Sequence, residues 1–318
     1  MSRAFFIVGP TATGKSELAA DVAGEIGAEI VSADAFQIYR GLDLLTAKPD
    51  ASTLGKAPHH LIGTAPLHEE MNAEKYRCAA TRAIDEINSR GKLAMVVGGS
   101  GLYIKALTHG LAPLPEADPT LREQLNAMSL DELRSRLAQL DPEAGRTIDT
   151  KNRRRVVRAL EICLLTGKPA SEIVAAGADR GLPESSAFAK ATADKPISAT
   201  GVFLLRDREE LYQRINQRVE AMFESGVIEE ARTAAATGKT ASQMIGLREI
   251  RELLDGKISL LQCIAEIQQA TRRYAKRQLT WFRQQTNFLP LNLSLLTHNE
   301  ARILLQQHSQ RRRVSGFA

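Results

Sequence analysis

The sequence predicts an α/β fold, in which a parallel sheet is flanked by helices and an α-helical domain is inserted. Three observations predict this fold. A wholly apolar run at residues 4–8 leads through a glycine-containing loop into a helical pattern. Further strand-like segments at 28–33 and 93–97 are each followed by a polar or glycine residue. Beyond residue 115 the pattern is helical only, until an apolar run returns at 201–205, as expected where helices interrupt a sheet.

The first segment, residues 1–115, alternates strands with helices. Leu18 and Val22 begin a four-residue spacing that predicts a helix over 15–26, and a second helix over 73–89 leads into the third strand. Ligands of open α/β sheets bind outside the carboxyl ends of the strands. The residues that follow the three strands are therefore the first candidates for a functional site.

Residues 116–200 are predicted to form the helical insertion. Helical periods cover 121–140 and 153–165, and the Asp141-Pro142 pair marks a break between them. Residues 175–199 are poor in large apolar side chains, so we expect a long surface connection there.

Residues 201–290 are predicted to complete the core with a returning strand and long helices, including one at 264–282. Tyr274 and Trp281 lie on the apolar seam of that helix, and we expect them to be mainly core residues. The remaining residues, 291–318, are expected to be a tail with a disordered end.

The composition excludes several classes of protein. With 318 residues, 43% of them apolar, the chain is neither a disordered tail nor a disulfide-stapled miniprotein. Its three cysteines, Cys78, Cys163 and Cys263, have no metal-ligand spacing, so no structural zinc site is expected. The apolar run near the N-terminus is too short for a signal-peptide core or a membrane span. We expect a cytoplasmic protein without membrane association, and a monomer by default.

The basic excess lies in the later part of the chain. Residues 1–120 carry 11 basic and 14 acidic side chains, whereas residues 121–318 carry 31 and 23. Residues 146–158, the first basic cluster, hold six basic side chains and one acid; residues 272–283, the second basic cluster, hold five and none. Such clusters indicate a polyanionic partner such as nucleic acid, although a solvated helix face explains any single cluster about as well.

The loop after the first strand matches the phosphate-binding pattern GxxxxGK[ST] between a strand and a helix. Its residues are Gly9, Pro10, Thr11, Ala12, Thr13, Gly14, Lys15 and Ser16. Backbone N–H groups of such a loop cradle a di- or triphosphate, Lys15 adds a point charge, and the Ser16 hydroxyl can bind Mg²⁺. The pattern predicts phosphate binding without identifying the phosphate compound.

Asp34 and Ser100 follow the second and third strands. Asp34 is interpreted either as a helix N-cap or magnesium-shell carboxylate, or as a general base, and its position alone does not separate these roles. Ser100 lies in a Gly-Gly-Ser-Gly turn that needs glycines in any case, but its hydroxyl also suits a donor to a leaving-group oxygen. The third strand lacks a terminal acid, which weakens an ATPase interpretation.

These motifs, together with further blocks in the same order, resemble the tRNA dimethylallyltransferase family, also called tRNA isopentenyltransferase or IPP transferase. The resemblance extends over most of the chain. The blocks that carry it, besides the phosphate-binding loop, are residues 32–41, 46–49, 59–62, 98–104, 154–161, 214–219, 245–246 and 271–283. The family's fold is a P-loop NTPase-like core with a helical insertion.

The resemblance implies transfer of a dimethylallyl group from its diphosphate to N6 of the adenine at position 37 of tRNAs that read codons beginning with U. The loop would then hold the diphosphate of the donor rather than primarily ATP, with Mg²⁺ as cofactor. Asp34 would accept the proton of the attacking amine, whereas Lys15 and Ser100 would stabilise the departing diphosphate. The insertion would clamp the anticodon stem.

The resemblance also implies a set of tRNA contacts around an adenine flipped out of the anticodon loop. These are Asp34, Ala35, Phe36, Gln37, Ser100, Arg122, Arg158, Ala159, Leu160, Glu161, Ile162, Arg272, Arg273, Lys276 and Arg277. The sequence departs from the family where Ala35-Phe36 replaces Ser-Met and Leu44-Leu45 replaces Ile-Gly, which is expected to alter packing under the adenine pocket. Residues 183–195 have no counterpart.

Three other functions share some of these features. A P-loop small-molecule kinase would use ATP, but it gives no reason for a basic helical insertion. A prenyltransferase acting on free adenosine nucleotides would share the chemistry but need no tRNA clamp. A non-enzymatic RNA-binding module would leave Lys15, Ser16, Asp34 and Ser100 without a role.

Overall fold

The computed structural model describes residues 3–111, 114–179, 198–234, 236–285 and 287–310. The chain divides into two compact units. One unit is formed by Met1–His109 with Pro196–Ala318, and the other by Gly110–Lys195. None of the helices in the described ranges is long and apolar enough to cross a membrane.

The first unit is built on a parallel sheet of six strands. The strands are β1 (Arg3–Val8), β2 (Glu29–Ala33), β3 (His59–His60), β4 (Ala94–Gly98), β5 (Ser198–Leu205) and β6 (Leu289–Asn292). Their order is β3-β2-β4-β1-β5-β6, and each neighbouring pair is parallel. All strands therefore present their carboxyl ends at one edge of the sheet.

Fourteen helices are described. They are α1 (Lys15–Ile26), α2 (Ala51–Leu54), α3 (Ala73–Ser89), α4 (Gly101–His109), α5 (Pro119–Ala127), α6 (Leu130–Leu140), α7 (Pro142–Thr147), α8 (Arg153–Thr166), α9 (Ala170–Asp179), α10 (Arg208–Glu224), α11 (Val227–Thr233), α12 (Leu247–Leu254), α13 (Leu260–Gln285) and α14 (His298–Gln310). Helices α5 to α9 form the second unit and the others belong to the first.

Both faces of the sheet are covered, as the continuous apolar strands predicted. Along β1, Phe6 and Val8 join one buried cluster, whereas Phe5 and Ile7 join another. Helices α1 and α14 supply the second cluster, and α3, α4 and α10 to α13 supply the first. The alternation arises because successive side chains of a strand point to opposite faces.

Long periodic segments were predicted closely, and a short one was missed. The predicted strands agree with β1, β2 and β4 to within one residue at each end, and the predicted helices 15–26 and 73–89 are α1 and α3. Strand β3 was not predicted. It has two residues, and its pairing with β2 at Ile30 and Val31 is the only feature that defines it.

The predicted tail is largely part of the core, so that prediction is wrong for residues 291–310. Strand β6 extends the sheet beside β5, and α14 follows it. Leu293, Ala301 and Leu305 are buried in the cluster that also contains side chains of β1 and α1. The predicted disordered end from Ser309 is wrong for Ser309 and Gln310, which lie in α14, and residues 311–318 lie outside the described residues.

The second unit has its own apolar core, which includes Leu125, Leu133 and Leu160. The helical period predicted over 121–140 is confirmed, and it is divided between two helices, α5 and α6. Ser129 separates them: its hydroxyl accepts the Glu132 N–H, and the Glu132 carboxylate accepts the Ser129 N–H. This reciprocal capping box starts a new helix.

The boundaries of the insertion also differ from the prediction. The compact unit spans Gly110–Lys195 rather than 116–200, because Ser198 already begins β5. The surface connection predicted over 175–199 is wrong at both ends, since α9 continues to Asp179. Residues 180–197, including the stretch without a family counterpart, lie outside the described residues.

Candidate active site

Three loops meet at the carboxyl edge of the sheet, where β1, β2 and β4 end. Neighbouring strand ends are joined by backbone hydrogen bonds from Gly9 N to Gly98 O (3.3 Å) and from Ser100 N to Ala33 O (3.1 Å). The structure thus brings together the phosphate-binding loop, Asp34 and Ser100, as their positions after parallel strands predicted.

The phosphate-binding loop is closed on itself. Thr13 Oγ1 donates to Pro10 O (3.0 Å), and the Lys15 ammonium donates to the same carbonyl (3.1 Å). Gly14, with φ 92°, is the N-cap of α1 in a left-handed conformation that favours glycine. The first N–H groups of α1 have no partner within the helix, so they form an anion-binding site at the end of the loop.

Burial sets the charge balance around Lys15. It lowers the pKa of the ammonium to about 8; Asp34 opposes this shift, and the Arg218 guanidinium adds to it. A ligand with negative charge would remove the repulsion between the two cations. The loop is therefore suited to a di- or triphosphate.

Asp34 serves the local turn with one of its two carboxylate oxygens. Oδ1 accepts the N–H groups of Phe36 (2.9 Å) and Gln37 (3.3 Å). The helix N-cap interpretation is therefore wrong, because a turn and not a helix follows Asp34, and the carboxylate stabilises that turn instead. Within the described ranges Oδ2 accepts no hydrogen bond from the protein, and Asp34 lines a cavity. A ligand can thus use the second oxygen while the first holds the carboxylate in place.

Ser100 connects the loops after β2 and β4. It is buried, and its Oγ accepts the Ala35 N–H (2.9 Å). The Tyr274 hydroxyl lies close to the Ser100 and Gln278 side chains. Tyr274 is half-buried and lines the cavity with Asp34, so the prediction that it is mainly a core residue is wrong. Burial raises the pKa of Tyr274, and the charge of Asp34 raises it further.

Gln278 lies on α13 and connects the phosphate-binding loop with the glycine-containing turn after β4. Its Oε1 accepts Thr11 N (3.0 Å), and its Nε2 donates to Gly99 O (2.9 Å). An added Cβ at Gly99 would lie 2.3 Å from Gln278 Nε2, so the approach of the amide requires glycine there. Trp281, three residues on, is half-buried and packs against the core cluster.

The cavity beside these loops has a volume of about 70 Å³, several times what one water molecule needs. Its polar wall comprises Thr11, Asp34, Thr46, Arg218, Thr271 and Tyr274. Its apolar wall comprises Phe36, Leu45, Ala47, Val219, Met222, Phe223, Val227, Met244, Ile245, Ile250 and Ile267. The departure from the family at Leu45 thus places a branched side chain in the wall of this cavity.

Arg218 is a site residue that the sequence analysis missed. It lines the cavity from α10, and its Nε is shielded from solvent without a hydrogen-bond partner. Burial lowers the pKa of its guanidinium to about 10; Asp34 opposes the shift and Arg214 adds to it. The group remains charged at neutral pH. A buried cation with an unpaired N–H indicates a site for an anionic ligand.

Two further arginines support the phosphate-binding loop and were also missed. Arg206 Nε donates to Thr13 O and Arg214 Nε to Ala12 O, both at 2.9 Å. The four-residue spacing of Arg214 and Arg218 places both on one side of α10. That spacing lies within the family-like block 214–219, and it is a signal from which Arg214 and Arg218 could have been predicted.

The predicted contacts next to Asp34 are only partly available to a ligand. The Gln37 side-chain amide donates to Thr46 O (3.3 Å) and Ala47 O (2.9 Å), which leaves its oxygen as an acceptor. Phe36 lines the cavity, and Ala35 is half-buried against the core. Gln37 therefore first stabilises the loop that forms one cavity wall.

In the helical unit, Glu161 is fully buried between two arginines. Arg122 binds both of its oxygens (2.9 Å each), and Arg158 binds Oε2 and also donates to Pro115 O (2.8 Å). The Asp118 N–H adds a further hydrogen bond to Oε1 (3.0 Å). The two cations and the hydrogen bonds offset the desolvation cost of burying this carboxylate.

This arrangement corrects part of the expected RNA-contact set. Ala159, Leu160, Glu161 and Ile162 are buried, and the three apolar residues belong to the core of their unit. Their side chains are not available to RNA. Arg122 and Arg158 keep 37% and 30% of their side-chain surface exposed, so in this part of the expected set only these two side chains are accessible.

Helix α13 exposes most of the second basic cluster. Arg273, Lys276 and Arg277 are exposed, and the Arg277 guanidinium also lies 5.7 Å from the centre of the Tyr274 ring. Arg272 differs from them, because it donates to Asn216 Oδ1 on α10. Arg272 thus has a role in packing that the sequence did not indicate.

The residues present fit a magnesium ion that is held mainly by a bound ligand. Among the described residues no group of three or more His, Cys, Asp or Glu side chains forms a metal cluster. Mg²⁺ commonly takes one or two protein oxygens and completes its shell with phosphates and water. Ser16 in the first turn of α1 and Asp34 are oxygen donors of this kind.

Comparisons with known proteins agree on one family. The model described as IPP transferase matches residues 37–285. The tRNA dimethylallyltransferase 1 of Citrifermentans bemidjiense is 42% identical over 283 residues, which cover 88% of each chain. The tRNA dimethylallyltransferase of Geobacter sulfurreducens is 43% identical over 286 residues, with 87% of this chain and 88% of that one covered.

Solved structures give the same result. The full-length tRNA isopentenylpyrophosphate transferase from Bacillus halodurans superposes with a TM-score of 0.68 at 33% identity, over 96% of this chain and 95% of that chain. A eukaryotic dimethylallyltransferase acting on tRNA has a TM-score of 0.72 at 25% identity, over 92% of this chain and 74% of that chain.

Proposed function

Because the chain belongs to the IPP transferase family, we propose that it transfers a dimethylallyl group from dimethylallyl diphosphate to N6 of adenine 37 in tRNAs that read codons beginning with U. One observation supports this chemistry. The cavity has a polar wall, which carries a cation and a carboxylate beside the phosphate-binding loop, and an apolar wall of aliphatic and aromatic side chains. A diphosphate ester of a short branched hydrocarbon has the same two parts.

The donor diphosphate binds at the phosphate-binding loop. Backbone N–H groups at the start of α1, the Lys15 ammonium and the buried Arg218 guanidinium supply directed donors and positive charge. Arg206 and Arg214 hold the loop carbonyls and fix its shape. The hydrocarbon then lies against the apolar wall, away from water, and its C1 carbon faces Asp34.

The transfer step forms the N6–C1 bond as the C1–O bond to the diphosphate breaks. Diphosphate leaves with the electron pair of the broken bond, and the amine proton passes to Asp34 Oδ2. A conjugated exocyclic amine is a weak nucleophile, so proton acceptance assists its attack. Lys15, Arg218 and the Ser100 hydroxyl stabilise the charge that grows on the departing oxygen.

Magnesium is the expected cofactor, with Ser16 as its protein ligand and the diphosphate as its main partner. When bound, the ion supplies positive charge that neutralises the diphosphate.

The acceptor adenine must leave the anticodon stack to reach Asp34. Exposed cations on α13, with Arg122 and Arg158 in the helical unit, are suited to hold RNA phosphates while it does so. We propose that the reaction takes place in the cytoplasm and that the protein acts as a monomer.

The test is a transfer assay with anticodon stem-loop RNA, Mg²⁺ and dimethylallyl diphosphate, followed by mass analysis of the nucleosides. We expect one added isopentenyl unit on the adenine, and none when that adenine is replaced by guanine. Parallel reactions contain free adenosine monophosphate as acceptor, or ATP with small hydroxylated metabolites. No RNA product, together with prenylated nucleotide or a phosphorylated metabolite, would overturn the proposal in favour of the corresponding alternative.

A further inference from the structure

The apolar wall of the cavity contains one side chain, Leu45, that is placed to limit the size of the hydrocarbon. Leu45 is buried, with 7% of its surface exposed, although it belongs to a loop rather than to a helix or strand. Its Cδ1 atom closely approaches Gly246, since an added Cβ there would lie 2.8 Å from Leu45 Cδ1 and 3.4 Å from Ile267 Cδ1. The tips of Leu45 and Ile267 thus close the wall around one point.

The backbone of Leu45 is fixed by a carboxylate from another element. Glu230 on α11 accepts the Leu44 N–H with Oε1 (2.8 Å) and the Leu45 N–H with Oε2 (2.9 Å). Two N–H groups bound to one carboxylate define the direction of the chain at this point, and hydrogen bonds to a charged acceptor are stronger than neutral ones.

The rest of the loop is equally constrained. Leu42 (φ 53°) and Ala47 (φ 49°) both have left-handed backbones, which side-chain-bearing residues seldom adopt. Thr46 Oγ1 donates to Leu42 O (2.7 Å), and Gln37 Nε2 holds Ala47 O from the opposite side (2.9 Å). A loop with strained residues keeps its conformation only when the contacts around it hold it firmly in place. The wall therefore cannot easily retreat from a larger ligand.

We infer that Leu45 is a specificity-determining residue that restricts the donor to a five-carbon hydrocarbon by closing the apolar end of the cavity. The inference rests on the proposed function, because it assigns the hydrocarbon of the donor to this cavity. Leu45 and Ile267 meet at Gly246 through aliphatic carbon atoms, which suit a hydrocarbon better than the polar edges of a purine. Bond formation and departure of the diphosphate are unchanged.

The experiment compares two donors with the same RNA acceptor: dimethylallyl diphosphate and its homologue 3-methylpent-2-enyl diphosphate, which has one additional methylene. An apolar pocket discriminates one methylene by about 10- to 200-fold in kcat/KM. We expect the wild-type protein to prefer the shorter donor on this scale. In Leu45→Ala the ratio of longer to shorter donor should rise about tenfold or more.

The matched control is Leu67→Ala, which removes the same atoms from the same buried cluster but does not line the cavity. It should keep the wild-type ratio, and thermal unfolding of both variants shows whether they are folded. Leu45→Val removes less volume and decides the question if the alanine variant does not fold. Its ratio should shift in the same direction.

The outcomes separate the two proposals. If the wild-type protein transfers neither hydrocarbon to RNA, the proposed function fails. If it transfers the dimethylallyl group and folded Leu45 variants keep the wild-type donor ratio, the assignment of Leu45 is overturned while the proposed function stands. An equal shift in Leu67→Ala would also overturn it, since general loosening of the core would then be the cause.

Discussion

Substitution of Gln278 by alanine should loosen both loops of the proposed diphosphate site. The side-chain amide is buried, accepts Thr11 N and donates to Gly99 O. In Gln278→Ala each of these backbone groups loses its side-chain partner. The phosphate-binding loop and the turn before Ser100 are then no longer joined through this helix.

The size of the effect follows from these two contacts. A buried donor or acceptor left without a partner costs about 1–3 kcal/mol, so two such groups cost about 2–6 kcal/mol, with the lower end applying where water enters. A domain is stable by only about 5–15 kcal/mol, so the loss is measurable in urea unfolding. Displacement of reacting groups by about 1 Å can cost 10²-fold in rate, so kcat should fall about 10- to 100-fold.

The assay pairs urea unfolding with single-turnover transfer to a stem-loop RNA. Gln284→Ala is the control, because Gln284 is an exposed residue of the same helix and should change stability by less than about 0.5 kcal/mol. If Gln278→Ala unfolds like wild type and keeps its kcat, the two loops hold each other without the amide and the argument is refuted.

Three further results are expected. Asp34→Asn keeps an acceptor for the turn but removes the base, so turnover should fall about 10²-fold or more at saturating RNA while RNA affinity stays near wild type; weak binding with normal turnover would refute this. Arg218→Gln should raise KM for the donor about 10- to 100-fold, the scale of a charged hydrogen bond, and an unchanged KM would contradict its role. Although burial raises the pKa of Glu29, hydrogen bonds from its basic neighbours Lys92, His60 and Arg90 lower it to about 2. The lowered pKa contributes about 3 kcal/mol to the free energy of unfolding above pH 4.5, and this contribution is lost as the pH falls from there towards 2. The free energy of unfolding of Glu29→Gln should therefore depend less on pH over that window.

The catalytic edge was predictable because its residues follow strands. A buried strand has a strong apolar pattern, and parallel strands must end at the same edge, so the phosphate-binding loop, Asp34 and Ser100 were brought together by topology alone. The same logic explains why the fold of the first unit was largely predicted. Elements defined only by a neighbour, such as β3 and β6, have no comparable local signal.

The residues that complete the site lie far away in sequence. Arg218, Tyr274 and Gln278 reach the cavity and loops from α10 and α13, and a helical pattern does not show which loop a helix packs against. Tyr274 was assigned to the core because a half-buried aromatic residue on an apolar seam has the same pattern as a core residue. The opposite error occurred at Glu161, which was expected to contact RNA but is buried. Its family-like block lies on one helix and contains both exposed and buried positions, which the block alone does not distinguish.

The structure also changes what the basic clusters mean for RNA binding. In the first basic cluster, Arg153 donates to Leu125 O and Asn126 O and so caps the end of α5, while Arg158 pairs with Glu161. In the second basic cluster, Arg272 is bound to an asparagine on α10. Each phosphate contact releases counterions from the RNA. Only cations that are not already paired within the protein therefore contribute fully to the salt dependence of RNA binding. The charge count along the sequence therefore overestimates the number of phosphates held, and the RNA surface is set by which cations the fold leaves exposed.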